Sequence, residues 1–355
     1  MNLYATADKV GIATGGGLVT RHELSALRTI GECKVLSRDE LVGGSDPWGW
    51  DQIAVGELSR MQECPKLTHL YAGSFGKSVK KLKDGGSKVC YTVAAHDKEV
   101  SRREHEKFGV PFSKLYPHLC EKEQFEKYVE GYRLADVIVA PSRAAERSIR
   151  AYGGEFETKR IEIIPHGCEL PEVVKPIPKQ FVVGAMGAIG GPDKGLIYLL
   201  QAWKKLDYSD AVLVLAGKDS TSPHVFELVD KFGGGTVVHK GWVKDEADFY
   251  NGISILCQPS ATEGFGIEVA EALAHSRRVI CSDGAGAADC VADGGVGIVV
   301  PACNVDSLAT AIDCFKRIGQ DGIATKSEQC RRFAETLTWD KIRQRYVDLW
   351  KEMLI

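Results

Sequence analysis

The sequence has no pattern that usually marks a structural metal site or a disulfide framework. It contains 11 cysteines but no C-x-x-C pair, and the two that are nearest in sequence are Cys281 and Cys290. Cys90, Cys257 and Cys281 lie in apolar runs typical of strands, where a free thiol packs as a small hydrophobic side chain. An odd number of cysteines also favours reduced thiols. The sequence therefore predicts structural thiols and no metal site.

An excess of basic residues is also absent. The 45 Lys and Arg against 48 Asp and Glu give a formal net charge of -3, whereas general nucleic-acid binding usually needs a strong basic excess. Apolar runs such as 181–186 are far shorter than the roughly 20 residues that span a bilayer. Residues 1–5 lack the charged and then apolar order of a secretory signal. We therefore expect a cytoplasmic protein that does not bind nucleic acid.

What the chain does contain is a regular alternation of strands and helices. Its 355 residues suffice for two domains, each with its own core. Short β-branched runs separated by helical patterns are typical of parallel α/β sheets. We predict strands near 33–37, 67–72, 88–94, 136–140, 211–216, 236–241, 254–259, 278–283 and 296–300, and helices near 196–206, 223–232, 265–276 and 304–318. The predicted fold is α/β, with two doubly wound domains and a ligand cleft at the carboxyl ends of their strands.

Two further segments organise the chain. Residues 168–179 contain three prolines and no helical periodicity, which indicates a linker between the domains. Residues 339–354 place Ile342, Tyr346, Leu349 and Trp350 on one stripe, as expected for an amphipathic helix that packs on a domain.

The stretch at 259–274 is the most informative part of the sequence. Glu263 and Glu271 bracket a turn of Gly264, Phe265 and Gly266 that opens an amphipathic helix. A glycine-rich loop between a strand and a helix exposes backbone N–H groups at the positive end of the helix dipole, which suits a phosphate. Carboxylates repel a phosphate, so hydrogen bonds from sugar or ribose hydroxyls suit them better. The stretch therefore predicts a site for a nucleotide joined to a sugar.

This stretch resembles the E-x7-E motif of glycosyltransferase family 4, whose members are retaining enzymes with the GT-B fold. The resemblance covers most of residues 88–350, and its other segments are 135–142, 163–167, 183–187, 193–196, 213–217 and 239–243. It implies two Rossmann-like domains with an interdomain cleft. The implied division is an acceptor-binding domain at 1–167, a linker at 168–179, a donor-binding domain at 180–337 and a helix at 338–355 that crosses back to the first domain.

The resemblance implies a sugar transfer with retention, from a nucleotide diphosphate sugar to an acceptor hydroxyl. UDP or GDP is the first expectation for the nucleotide, and the acceptor is a carbohydrate, a lipid-linked molecule or a small molecule. No divalent metal or other cofactor is implied, which agrees with the absence of a D-x-D cluster. Two alternatives stay open. They are a sugar-nucleotide epimerase and a non-catalytic partner protein that binds a nucleotide sugar.

The resemblance also assigns roles on the donor side. Glu271 accepts hydrogen bonds from the ribose hydroxyls, Glu263 contacts the donor sugar, and Lys194 approaches the leaving diphosphate, with a plain surface lysine as the alternative. The backbone amides of Gly264, Phe265 and Gly266 hold phosphate and sugar oxygens, and the main chain of Trp242 and Val243 reads the base.

One position departs from the family pattern. Many family members carry an arginine after the glycine that matches Gly187, which the resemblance counts among the donor-binding residues, and this chain has Ala188 there. The leaving diphosphate is then left with one fewer positive charge, and Arg143 is our hypothesis for a replacement. Glu268, between the two motif carboxylates, is interpreted as a surface residue.

On the acceptor side, a glycine-rich loop of Gly15, Gly16 and Gly17 matches one that the family places near the reacting phosphate, with a plain flexible loop as the alternative. His96 matches a histidine beside the donor sugar, where the alternative is a structural histidine. The resemblance counts His96, Glu263 and Lys194 as the catalytic residues.

A basic run is formed by Lys77, Lys80, Lys81 and Lys83. Such a run is usually a solvated helix face. The other interpretation is a patch for anionic lipid or a phosphorylated acceptor, which would place the protein weakly on the inner face of a membrane.

Overall fold

The computed structural model of the chain describes residues 1–6, 15–37, 49–71, 75–93, 98–107, 122–234 and 236–355. These residues form two compact units. The first contains the described residues up to 93 together with 122–166 and 339–355, and the second contains 98–107 and the described part of 167–338. The segment 98–107 therefore belongs to the second unit, although in sequence it lies between strands of the first. The domain boundaries given above stay a prediction.

The first unit is built on a parallel sheet of six strands in the order β2-β1-β3-β4-β5-β6. The strands are β1 (Asn2–Thr6), β2 (Cys33–Ser37), β3 (Leu67–Tyr71), β4 (Lys88–Thr92), β5 (Val137–Ala140) and β6 (Ile161–Ile163). Four of them are the predicted strands of this half. Strands β1 and β6 were missed. Residues 1–5 were considered only as a leader, yet β1 is buried throughout and pairs with both β2 and β3, and β6 has only three residues.

The second unit has its own parallel sheet in the order β12-β11-β10-β7-β8-β9. The strands are β7 (Phe181–Met186), β8 (Ala211–Ala216), β9 (Val237–Gly241), β10 (Ile255–Gln258), β11 (Arg278–Ser282) and β12 (Gly297–Val300). Strand β7 pairs with β8 on one side and with β10 on the other, so the chain reverses its direction of travel across the sheet there. Ligands of open α/β sheets bind outside the carboxyl ends of the strands at such a point.

The helices flank these sheets. In chain order the described residues contain α1 (Gly15–Arg28), α2 (Gly49–Arg60), α3 (Gly76–Asp84), α4 (Lys98–Lys107), α5 (Lys122–Leu134), α6 (Arg143–Arg150), α7 (Leu196–Leu206), α8 (Pro223–Phe232), α9 (Glu246–Tyr250), α10 (Ile267–Ala274), α11 (Ala288–Gly294), α12 (Val305–Ala324), α13 (Ser327–Ala334) and α14 (Trp339–Met353). The four predicted helices are α7, α8, α10 and α12. The last continues beyond its predicted end through a kink at Gly319, where φ is 70°.

Helix α14 packs on the first unit through its apolar stripe. Trp339 stacks on His22 of α1 with 4.1 Å between the ring centroids, and the Tyr346 hydroxyl lies 3.3 Å from Thr92 Oγ1. Beneath the helix, Glu23 Oε2 and His69 Nε2 form a buried ion pair at 3.1 Å. The C-terminal helix therefore covers a charged pair as well as an apolar surface.

Ten cysteines lie in the described residues, and all of them are free thiols. Five are buried, namely Cys90, Cys168, Cys257, Cys281 and Cys330. Burial raises the pKa of Cys257 to about 12. A thiol with such a pKa is hardly ionised at neutral pH and does not act as a nucleophile.

Candidate functional site

The candidate site is built from two loops that leave the sheet of the second unit at its reversal point. One follows β7 and ends in a 3-10 turn, Pro192–Lys194, while the other follows β10 and leads into α10. The Ala261 amide donates to the Asp193 carbonyl at 2.8 Å and so joins the two loops. A side chain on Gly195 would come within 2.0 Å of the Pro259 carbonyl, and φ at this residue is +73°. Only glycine fits this contact.

Lys194 and Glu263 meet across these loops. The ammonium group forms an ion pair with Glu263 Oε2, and 28% and 20% of the two side chains remain exposed. The Glu263 backbone is held on both sides, since its N–H donates to Gly284 and its carbonyl accepts from Gly286. Burial lowers the pKa of Lys194, but the carboxylates of Glu263 and Glu268 outweigh it and raise the pKa. Two residues that the resemblance counts as catalytic, with separate roles, are therefore in direct contact.

Glu271 lies on the second turn of α10 in a carboxyl pair. Tyr250 donates its hydroxyl to Glu271 Oε2 at 2.6 Å. Burial, and then the carboxyl of Glu246, raise the pKa of Glu271 to about 8. Glu271 therefore holds a proton at neutral pH and shares it with Glu246, because two adjacent carboxylates in a partly buried site do not both ionise.

Glu246 and Tyr250 were missed by sequence reasoning. Both belong to the short helix α9, which follows Trp242 and Val243. Glu246 and Tyr250 are on a different helix from Glu271 and more than 20 residues before it, so local spacing does not relate them. Only the fold brings them into contact with Glu271. Asp245 nevertheless offered a usable signal for the start of α9, because aspartate often caps helices. Its side chain accepts a hydrogen bond from the Ala247 amide.

Phe265 anchors the turn between the two motif carboxylates. Its side chain is 2% exposed, and its carbonyl accepts from the Ala287 amide at 2.7 Å. Gly266 is the N-cap residue of α10 and offers no side chain to cap it. The predicted binding of phosphate and sugar oxygens by the amides of Gly264, Phe265 and Gly266 stays a prediction.

Trp242 and Val243 follow the end of β9. Trp242 is 55% exposed, whereas Val243 packs against the core cluster that contains Ala216 and Phe265. The chain at the predicted base-binding position is therefore fixed by Val243, and the indole beside it is open to solvent. Its role in reading the base stays a prediction.

The interpretation of Glu268 as a surface residue is wrong. Glu268 is half-buried and lines a small pocket together with Ala188, Lys194 and Gln258. The residue lies at the second position of α10, so its side chain turns back towards the start of the helix and the loop after β7. Spacing alone did not show this, because the neighbouring loop comes from a distant part of the sequence.

The remaining predicted residues are not in the described part of the second unit. His96 is outside the described residues. Gly15, Gly16 and Gly17 form the first turn of α1 and not a loop before it, and the Thr20 hydroxyl donates to the Gly17 carbonyl inside that turn. Arg143 is the first residue of α6 in the first unit, next to the N-cap Ser142. Their predicted roles stay predictions.

The basic run lies on α3. Lys77, Lys80 and Lys81 are exposed and border a groove of about 710 Å³ with an apolar floor that includes Leu58 and Leu82. Lys83 is different, because its ammonium group contacts Asp136 Oδ1 at 2.5 Å. The exposed patch therefore has three lysines. In the part of the chain that the structure describes, no helix is long and apolar enough to cross a membrane.

The family model "Glycosyl transferases group 1" matches residues 180–315, which contain every element of the site described above. A D-inositol 3-phosphate glycosyltransferase of Xylanimonas cellulosilytica is 24% identical over 252 residues, which is 61% of this chain and 57% of that relative. The chain thus spans little more than half the length of this curated relative.

The fold is shared along the whole chain. Sucrose-phosphate synthase of Thermosynechococcus elongatus superposes with a TM-score of 0.76 at 18% identity, over 99% of both chains. Anabaena HepE, solved in complex with UDP, superposes with a TM-score of 0.72 at 16% identity, again over 99% of both chains. These structures confirm the GT-B fold that the E-x7-E motif led us to expect, and residues 180–315 are similar to the group 1 glycosyl transferases.

Proposed function

We propose that this protein transfers a sugar, with retention and without a metal, from a nucleotide diphosphate sugar to an acceptor hydroxyl. The observation that carries the proposal is the arrangement at the start of α10. There Lys194 from the turn after β7 pairs with Glu263 from the loop before α10, and Glu246 and Tyr250 from α9 contact Glu271 of α10, beside the sheet's reversal point. Lys194 and the N-terminus of α10 can bind the diphosphate. The carboxyls can accept hydrogen bonds from the sugar hydroxyls and the ribose hydroxyls on either side of it.

Lys194 supports the departure of the nucleoside diphosphate. Its ammonium group is held by Glu263 before the donor arrives. When the donor binds, Lys194 turns to the diphosphate and Glu263 accepts from the sugar hydroxyls. Developing negative charge on the leaving group is then stabilised by a cation and a helix dipole that are already in position.

Glu271 recognises the ribose. Tyr250 and the shared proton with Glu246 hold its carboxyl in one orientation. A carboxyl held in this way accepts from the ribose hydroxyls without first having to be ordered, so less entropy is lost on binding.

The donor nucleotide to test first is UDP, because HepE, which has the same fold, is known with UDP bound. GDP follows as the second choice. For the acceptor, the name of the Xylanimonas relative indicates a phosphorylated polyol. A hydroxyl on a carbohydrate, lipid-linked or small-molecule acceptor is the wider class.

The test is a calorimetric titration of the protein with UDP-, GDP- and ADP-sugars in metal-free buffer. Tight binding of one nucleotide that is lost in Glu271→Ala supports the proposal. Glu227→Ala is the matched control, since Glu227 is an exposed glutamate on α8. No binding of any nucleotide sugar by the folded wild-type protein contradicts it. Product analysis with the donor alone separates transfer from epimerisation, because only an epimerase changes the sugar without an acceptor.

We also propose that the three exposed lysines of α3 contact an anionic surface. The test is co-sedimentation with vesicles rich in anionic lipid, for the wild type and for a variant in which Lys77, Lys80 and Lys81 are all changed to alanine. We expect less of the variant to sediment with the vesicles. The matched control changes three other exposed lysines, Lys218, Lys231 and Lys341. Equal sedimentation of the two variants contradicts a membrane role for the patch.

A further inference from the structure

The start of α10 already has an anion of its own. The N-cap residue Gly266 provides no side chain to accept from the amides of the first turn. Glu268, at the second position of the helix, accepts from its own backbone N–H. A carboxylate in the first turn is stabilised by the helix dipole in the same way as a bound phosphate.

The loop after β7 is shaped around this carboxylate. Gly187 follows the last residue of β7 and has a φ of +120°. A side chain added at Gly187 would place its Cβ 2.5 Å from Glu268 Oε1, which no real contact allows. The Glu268 carboxylate therefore lies directly against the backbone at the position where the family pattern expects a glycine and then an arginine.

The charges around this pocket do not favour a second anion. Lys194 is the cation that lines it, and Ala188 occupies the position where an arginine was expected. Glu263 and Glu268 both act on Lys194 and raise its pKa. A diphosphate that enters beside two carboxylates and one ammonium group meets net repulsion, unless one carboxylate is neutralised or moves away.

We propose that Glu268 is a resident anion in the diphosphate subsite: the donor's phosphate replaces its carboxylate at the start of α10 and at Lys194, and Glu268 takes up a proton as this happens. The inference rests on the proposed function and adds a specificity-determining residue to it. It makes the affinity for nucleoside diphosphates depend on pH and on Glu268. Nucleosides without phosphate are unaffected, because they do not reach the subsite.

The surroundings make proton uptake accessible near neutral pH. Several titratable groups act on Glu268 or respond to it: Lys194 from the turn after β7, Glu263 from the loop after β10, Glu246 and Tyr250 from α9, and Glu271 from α10 itself. Burial raises the pKa of Glu268 to about 7, with Lys194 opposing and Glu263 adding to this shift. An incoming phosphate raises the pKa further, so binding takes up a proton and weakens as the pH rises.

The experiment is isothermal titration of wild type, Glu268→Gln and Glu268→Ala with UDP, GDP and ADP between pH 6 and pH 9. Each titration is made in two buffers of different ionisation enthalpy, which counts the protons taken up. For a single linked proton, wild-type affinity falls by up to about tenfold per pH unit above the pKa of Glu268. We expect both variants to bind nucleoside diphosphates at least about tenfold more tightly than wild type at pH 8. Each variant should also take up fewer protons on binding, because the proton that Glu268 takes up in wild type is no longer counted.

The design separates Glu268 from other titrating groups. The Glu271–Glu246 pair contributes to the pH dependence of all three proteins, so the difference between wild type and Glu268→Gln isolates Glu268. The nucleoside that carries the preferred base should bind wild type and Glu268→Gln with equal affinity. Glu227→Gln is the control for removal of a carboxylate elsewhere.

Two outcomes contradict the proposal in different ways. Equal nucleoside diphosphate affinity and equal proton uptake in wild type and both variants overturn the role of Glu268 and leave the proposed function standing. If no folded variant binds any nucleoside diphosphate at any pH, both the proposed function and this inference are wrong. Thermal unfolding of each variant establishes that it is folded.

Discussion

Two glutamates in the two units have similar partners and opposite behaviour. Glu23 in the first unit accepts from the Tyr4 hydroxyl at 2.8 Å, and Glu271 in the second unit accepts from Tyr250 at 2.6 Å. Burial acts to raise the pKa of each carboxyl. For Glu23 the nearby His69 outweighs burial and lowers the pKa, whereas for Glu271 the nearby Glu246 adds to burial and raises it.

The difference lies in whether the charge is balanced within the protein. Glu23 and His69 form a buried ion pair under α14. Glu271 is paired with another carboxyl, that of Glu246, and not with a cation. Strongly shifted carboxyls that lack an internal counter-charge are typical of functional sites, and this contrast supports the ribose-binding role proposed for Glu271.

The largest expected effect is on stability. Glu23→Gln breaks the buried ion pair with His69, and removing one partner of such a pair usually costs about 3–5 kcal/mol. Glu271→Gln should cost far less, because the amide replaces a carboxyl that is already protonated. Chemical denaturation, with hydrogen exchange of β1 and β3 peptides to report on the first unit, measures both. Equal destabilisation by the two variants would remove the contrast between the two glutamates.

The next effect is on catalysis. Lys194→Ala removes the cation beside the leaving group and should lower kcat by about 10²–10³, in the range found for single groups that stabilise transition-state charge. Its stability should change little. The control is Lys83→Ala, since Lys83 pairs with Asp136 in the first unit and surface pairs contribute only about 0–1 kcal/mol. Steady-state kinetics that place both variants at the same turnover would contradict the role of Lys194.

The two tyrosines provide a matched pair of smaller changes. Tyr4→Phe removes a hydrogen bond to an ionised carboxylate and should destabilise the first unit by about 1.5–3 kcal/mol. Tyr250→Phe removes one to a protonated carboxyl and should cost about 0.5–1.5 kcal/mol, while weakening nucleotide binding. Urea denaturation and nucleotide titration of both variants check this. A nucleotide affinity that falls equally in Tyr4→Phe would argue against a local effect at Glu271.

The last comparison is a slope with pH. The pKa of Glu271 is higher in the folded state than in the unfolded state. The stability that this carboxyl contributes is therefore fully present below its unfolded pKa of about 4.5 and is lost as the pH rises through its folded pKa of about 8. The slope is at most about 1.4 kcal/mol per pH unit for one proton. Glu23 has a lowered pKa, so its contribution is lost only in acid.

Between pH 5 and pH 6.5 the second unit should therefore lose stability while the first changes little. Above pH 6.5 the first unit should lose stability as well, because Glu23 outweighs burial and raises the pKa of His69 to about 10. Glu246→Gln should flatten the slope of the second unit. Hydrogen exchange of each unit against pH measures the two slopes separately, and parallel slopes in both units below pH 6.5 would contradict the assignment.

Much of this site was predictable from local sequence. A glycine turn before an amphipathic run predicts a helix with an open N-terminus, and Lys194 lies in a turn of the same kind. These predictions succeeded because they depend on backbone conformation and on spacing within a few residues. The strand and helix pattern of the second unit was predictable for the same reason.

Other features depended on residues that are far apart in the chain. Strand β1 was overlooked because its burial comes from β2 and β3, and Glu268 was misplaced because the loop after β7 covers it. Glu246 was not identified because nothing in its own sequence neighbourhood relates it to Glu271. In each case the deciding contact joins segments that only the sheet topology brings together.

The sequence by itself thus determined approximately where α7, α8, α10, α12 and α14 begin, where the chain can turn tightly and which carboxylates belong to one motif. Only the tertiary structure decided the charge state of those carboxylates. A pKa depends on the solvent exposure of the group and on its nearest charges, and both are properties of the folded surroundings. His69 beside Glu23 and Glu246 beside Glu271 are such surroundings, and they shift the pKa values of the two glutamates in opposite directions.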